Sequence, residues 1–164
     1  MIKRCMIVLV VLFSLTLSAQ RMKQEFARSN PDRDYDLKVD TTEMKIWTGN
    51  ISYNYNHGYS EIYSVPLKKF IESFDENNDG KLSSLEFRRF QTGAKKVFSD
   101  ATSFLTEKYD ENKNRRLDKS EKEAVRTEVK DFLFFALSLH QAKKNGTDAK
   151  TVLEKSRALD DIYD

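Results

Sequence analysis

The chain has 164 residues, 39% of them hydrophobic, with 28 basic and 26 acidic side chains. That is enough for one domain with a modest core, and the near-balance of charge excludes nucleic-acid binding by bulk electrostatics. The single cysteine, Cys5, excludes a disulfide framework, a thiolate metal site and a cysteine nucleophile from the body of the protein.

Residues 1–19 read as a secretory signal peptide. Lys3 and Arg4 form a basic start, Ile7 to Leu17 is a nearly unbroken apolar run, and Ser18-Ala19-Gln20 offers a small-residue cleavage site, although Leu17 is bulky for its place. The run is too short to span a membrane comfortably. The expectation is a secreted or periplasmic mature chain with no stable membrane span, balanced at 26 basic and 26 acidic residues once Lys3 and Arg4 are removed (28 − 2 against 26). Cys5 precedes the apolar run, so it is not the cysteine of a lipoprotein cleavage site. Without a disulfide, bound metal is one candidate source of stability.

Residues 20–65 are polar and irregular, with an aromatic stretch from Trp47 to Tyr63. Ile51, Tyr53 and Tyr55 alternate with polar residues, which predicts a half-buried strand, and Asn56-His57-Gly58 suits a hairpin turn. The stretch reads as a small packing cluster, a flexible arm or, more sharply, an aromatic platform for sugar.

From Pro66 the pattern becomes helical, Pro66 itself suiting a first helical position. Leu67, Phe70, Ile71 and Phe74 share one face. Phe87, Phe90, Ala94 and Phe98 mark a second helix, and Ala101 to Tyr109, with Phe104 and Leu105 inward, a third. A fourth begins near Lys119, carries Val125, Val129, Phe132, Leu133 and Ala136, and stops at Asn145-Gly146. A fifth starts near Thr147 with Val152, Leu153, Leu159 and Ile162 on one side.

Two acidic loops of twelve residues sit between these helices, Asp75–Glu86 (DENNDGKLSSLE) and Asp110–Glu121 (DENKNRRLDKSE). A calcium ion takes 6–8 oxygens at about 2.3–2.6 Å and tolerates irregular geometry. In the first loop Asp75, Asn77 and Asp79 give alternate inward oxygens, and Gly80 permits a left-handed turn. Lys81 offers its carbonyl, Ser83 holds a bridging water, and Glu86 closes the shell with both oxygens. Leu82 is apolar because it faces a paired loop and the core. In the second loop the matching residues are Asp110, Asn112, Asn114, Arg116, Asp118 and Glu121, with Leu117 in the place of Leu82. This loop departs in three ways. Arg115 stands where the first has Gly80, Asn114 where it has the carboxylate of Asp79, and Lys122 where it has the apolar Phe87.

The first loop and its flanking helices resemble the EF-hand, the helix–loop–helix calcium motif of the calmodulin family. The resemblance covers residues 66 to about 139. It implies that residues 66–144 form a paired EF-hand unit; with the residue pattern on either side, the expectation is a mainly α fold with residues 145–164 as an extra C-terminal helix and residues 20–65 as an irregular, partly β segment. The resemblance also implies two calcium ions. The first site should be tighter, because its loop carries four acids and one base against four of each in the second. A third stretch, Asp32–Glu43 (DRDYDLKVDTTE), has acids at the same offsets. It is expected to stay empty, since Leu37 replaces glycine, Pro31 stands where an entering helix should end, and no convincing helix precedes it.

The expected function is a secreted calcium-binding protein whose ions are mainly structural. A calcium-triggered interaction module with an unknown protein partner, or an accessory subunit of a secreted enzyme, are the alternatives. The motif contains none of the four methionines, Met1, Met6, Met22 and Met44, whereas adaptable sensor grooves are Met-rich. Catalysis is not expected. There is no phosphate loop, zinc pattern or nucleophile elbow, and His57 and His140 sit beside no nucleophile. The stripe on the fifth helix is expected to fill the groove near Phe90, Phe132 and Leu133.

Overall fold

The computed structural model describes residues 30–148 and 151–154. The proposed signal peptide, and Leu159 and Ile162 of the last stripe, lie outside the described residues.

Helix α1 spans Thr41–Asn56. It starts at a capping box, in which the Asp40 carboxylate accepts from Glu43 N–H at 2.7 Å and Glu43 accepts from Asp40 N–H at 3.0 Å. The expected strand and hairpin at 51–58 are therefore replaced by helix. Ile51 and Tyr55 fit a period of two, but with Trp47 they also stand at i, i+4 and i+8, and all three are buried. Tyr53, the residue that would complete the strand's inner face, is 59% exposed. The Trp47 ring lies 5.8 Å from Phe90 and 5.3 Å from Phe98, so this segment is part of the core. Among the described residues there is no strand.

A short 3-10 turn at Ser60–Ile62 leads to α2, Val65–Glu72, with Pro66 in its first turn and Leu67, Phe70 and Ile71 buried. Helix α3 runs without interruption over Ser84–Tyr109. The two helices expected here are one, because no Gly or Pro stands between Phe98 and Ala101 to break the apolar spacing of Phe90, Ala94, Val97, Phe98, Ala101 and Leu105. Asp100 instead pairs with Lys96 at 3.2 Å and Lys143 at 3.4 Å.

Conversely, the single helix expected from Lys119 is two, α4 at Lys119–Glu128 and α5 at Phe132–Asn145. Asp131 caps α5 by accepting from Phe134 N–H at 2.9 Å. The bend lets Val125, Val129 and Phe132 all be buried. Gly146, left-handed at φ 68°, ends α5 as its sequence predicts. Residues 151–154 are helical, with Val152 and Leu153 buried.

Helix α3 is the centre of the molecule. It packs against α1, α4 and α5, and α2 packs on α5. Phenylalanines tie these contacts together, Phe70 and Phe74 against Phe90, Phe98 against Phe132, and Phe104 against Phe135. Gly93 leaves room for this packing, since a Cβ there would stand 2.4 Å from the Phe74 ring. Among the described residues no helix is long and apolar enough to cross a membrane.

The 26 residues of α3 make a rod about 39 Å long. The loops 75–86 and 110–121 lie at its opposite ends, so they do not face each other across a strand pair as expected. The continuous helix between them is the physical reason.

Candidate metal centres

In the first loop, Asp75 Oδ1 accepts from Asp79 N–H at 3.2 Å and Oδ2 from Gly80 N–H at 2.9 Å. Asn77 Oδ1 accepts from Asp79 N–H and Asp79 Oδ1 from Lys81 N–H. Glu86 reaches back from α3, Oε1 accepting from Glu76 N–H and Oε2 from Ser83 N–H, both at 2.8 Å. Ser83 caps α3. The loop thus wraps its backbone N–H groups around its own oxygens. Each carboxylate oxygen has more than one acceptor direction, so these bonds leave lone pairs for a cation. Asn78 at φ 54° and Gly80 at φ 76° make the turn.

The second loop repeats this scheme residue for residue. Asp110 accepts from Asn114 and Arg115 N–H, Asn112 from Asn114, and Asn114 from Arg116. Glu121 accepts from Glu111 and Asp118 N–H, and Asp118 caps α4. Arg115 takes the left-handed place at φ 63°, as its position requires. Leu117 is half-buried.

The stretch 32–43 has the same scheme again. Asp32 accepts from Asp36 and Leu37 N–H, Asp34 from Asp36, and Asp36 from Lys38. Glu43 accepts from Arg33 and Asp40 N–H. Ligand oxygens of Asp32, Asp34 and Asp36 lie within 4.8 Å of one another. Leu37 is left-handed at φ 65° and only 3% exposed. Burying such a side chain contributes about 1.5–3 kcal/mol, which offsets the roughly 1–2 kcal/mol cost of that conformation. Leucine in the glycine place is therefore no bar to the loop shape. Thr102 of α3 anchors it further, donating to the Leu37 carbonyl at 2.9 Å.

The charges are consistent with a cation. Burial pushes the Asp32 carboxyl up to about 6, although bonds from Leu37 and Asp36 N–H oppose the shift. A buried anion short of compensation is what a bound ion would relieve. Glu86 is held below the usual carboxylate range, first by the Ser83 hydroxyl and then by backbone N–H groups. Asp118 is likewise held low, chiefly by Glu121 N–H and then the Ser120 hydroxyl. All the donors are oxygens, carboxylate, amide, hydroxyl or carbonyl, a set that suits calcium or magnesium over softer metals.

Sequence reasoning missed two residues beside the first loop. The Tyr55 hydroxyl donates to Asp75 Oδ2 at 2.7 Å, and Asn56 bonds the backbone of Leu82. Reading residues 51–55 as a strand hid that both end a helix aimed at the loop. His57 stacks on Tyr53 at 4.1 Å, and His140 meets the Phe70 ring edge-on at 5.7 Å.

The chain finds no match among protein-family models, curated proteins or solved structures.

Proposed function

We propose that the chain is a calcium-binding protein of the EF-hand type, exported through its first 19 residues, whose ions are mainly structural and which is not an enzyme. The observation that carries the reading is the single hydrogen-bond scheme shared by three loops of different sequence. Each has first, third and fifth oxygens turned onto its own N–H groups, a left-handed sixth residue, and a ninth-residue cap bonded to a closing glutamate. On that scheme the loop 32–43 joins the two loops that spacing selects.

A calorimetric calcium titration of residues 20–164 tests the reading. The expected result is one ion per loop, with Glu86→Gln, Glu121→Gln and Glu43→Gln each removing one. The site lost with Glu86→Gln should be tighter than that lost with Glu121→Gln, whose loop carries three more bases (four against one). A chain that takes up no calcium at millimolar concentration, the range of extracellular modules, would overturn the proposal.

A further inference from the structure

The last turn of α1 ends against the first loop, where two consecutive side chains meet it. The Tyr55–Asp75 bond is buried, with Tyr55 6% and Asp75 4% exposed. Asp75 Oδ2 then accepts from two donors, Tyr55 O–H and Gly80 N–H, while Oδ1 accepts from one, Asp79 N–H. Oδ1 is the oxygen with more acceptor capacity left for a cation.

Asn56 makes a two-way bond. Leu82 N–H donates to Asn56 Oδ1 at 2.6 Å, and Asn56 Nδ2 donates to the Leu82 carbonyl at 3.2 Å. A side-chain amide that accepts from and donates to one residue's backbone supplies the pair of bonds a neighbouring strand residue would supply. Leu82 is the residue expected to face a paired loop, and that loop stands at the far end of α3.

We propose that Tyr55 and Asn56 are positioning residues for the first loop's cation. Tyr55 holds Asp75 so that it presents a single oxygen to the ion. Asn56 takes the place of a partner loop on Leu82. The first loop is therefore completed by α1 and not by the second loop. The proposal rests on the reading of the first loop as a calcium site. Removing a group that orients a ligand weakens metal binding about 10–100-fold.

The test uses the mature chain carrying Tyr55→Phe, which keeps the ring and removes the hydroxyl. The first-loop affinity for calcium should fall about tenfold, while the site that depends on Glu121 keeps its affinity and so serves as the internal control for folding. Terbium supplies a second readout. Tyrosine-sensitised emission from the ion lost with Glu86→Gln should drop in Tyr55→Phe even at saturating terbium, which places the ring beside that ion, while the fall in affinity is what separates a positioning role from packing alone. Asn56→Leu keeps the size without adding charge and loses both bonds to Leu82, and should also weaken the first loop alone. Unchanged first-loop affinity in both variants, or equal losses at both loops, would overturn the proposal. If the wild-type first loop takes no ion, the calcium reading fails. If it binds equally well with and without the hydroxyl and the amide, only the positioning role fails.

Discussion

Leu37, Gly80 and Arg115 share one backbone conformation and differ in what their side chains touch. Arg115 is exposed, so its left-handed φ brings cost without packing in return. Arg115→Gly should leave stability unchanged or raise it by up to about 1 kcal/mol, the relief of strain being offset by glycine's freedom in the unfolded chain. Leu37→Gly should destabilise by about 2 kcal/mol, because lost burial exceeds the strain relieved. Urea unfolding of the two variants checks the contrast, and equal effects would refute it. The same pair shows where the sequence stopped being legible. The rule that a turn wants glycine is a statement about backbone, and it marked Leu37 as a defect. That its side chain enters the core is a tertiary fact that no local pattern carries. The side-chain oxygens that turn onto the loops' own N–H groups, by contrast, stand at the alternate positions that spacing marks, because that alternation is set by the loop alone.

Helix ends were legible where a local signal closes on itself, as at Pro66, Lys119 and Gly146. They were not where tertiary packing decides. The apolar run from Val125 to Ala136 reads as one helix, and only the structure shows the break that Asp131 caps. That cap carries a testable pH signature. Burial raises the Asp131 carboxyl above its ordinary value, against bonds from Phe134 and Leu133 N–H. The folded state thus holds the proton more tightly than the unfolded state. Asp131 contributes most below its unfolded value, near 3.9, and that contribution is lost as pH rises through the folded pKa. Asn caps as well as Asp but does not titrate. The stability difference between Asp131→Asn and the parent should shift in favour of the variant as pH rises from about 4 to 7. Denaturation midpoints measured across that range give the slope, and a difference that does not vary with pH would refute it.

Across the whole molecule, the helical class was evident from periodicity, while the placement of α1 in the core and the continuity of α3 were not. Both depend on contacts between distant residues, Trp47 with Phe90 and Phe98 above all. Among the described residues the buried core extends from Leu37 to Leu153 and draws on all five helices α1–α5. If the ions are structural, calcium at a hundred times its dissociation constant should add about 2.7 kcal/mol per occupied site to unfolding stability. Binding of a hydrophobic dye should not rise with it. Thermal unfolding and dye fluorescence with and without calcium check both, and a strong calcium-dependent dye signal would favour a triggered interaction module. The α3 rod has a further consequence for how the protein answers a changing ion concentration. Doubly charged ions at its two ends would stand about 39 Å apart, several times the screening length of about 8 Å in physiological salt. Neither would feel the other's charge. The two end loops would therefore fill on separate curves, each set by the charges and strain of its own loop.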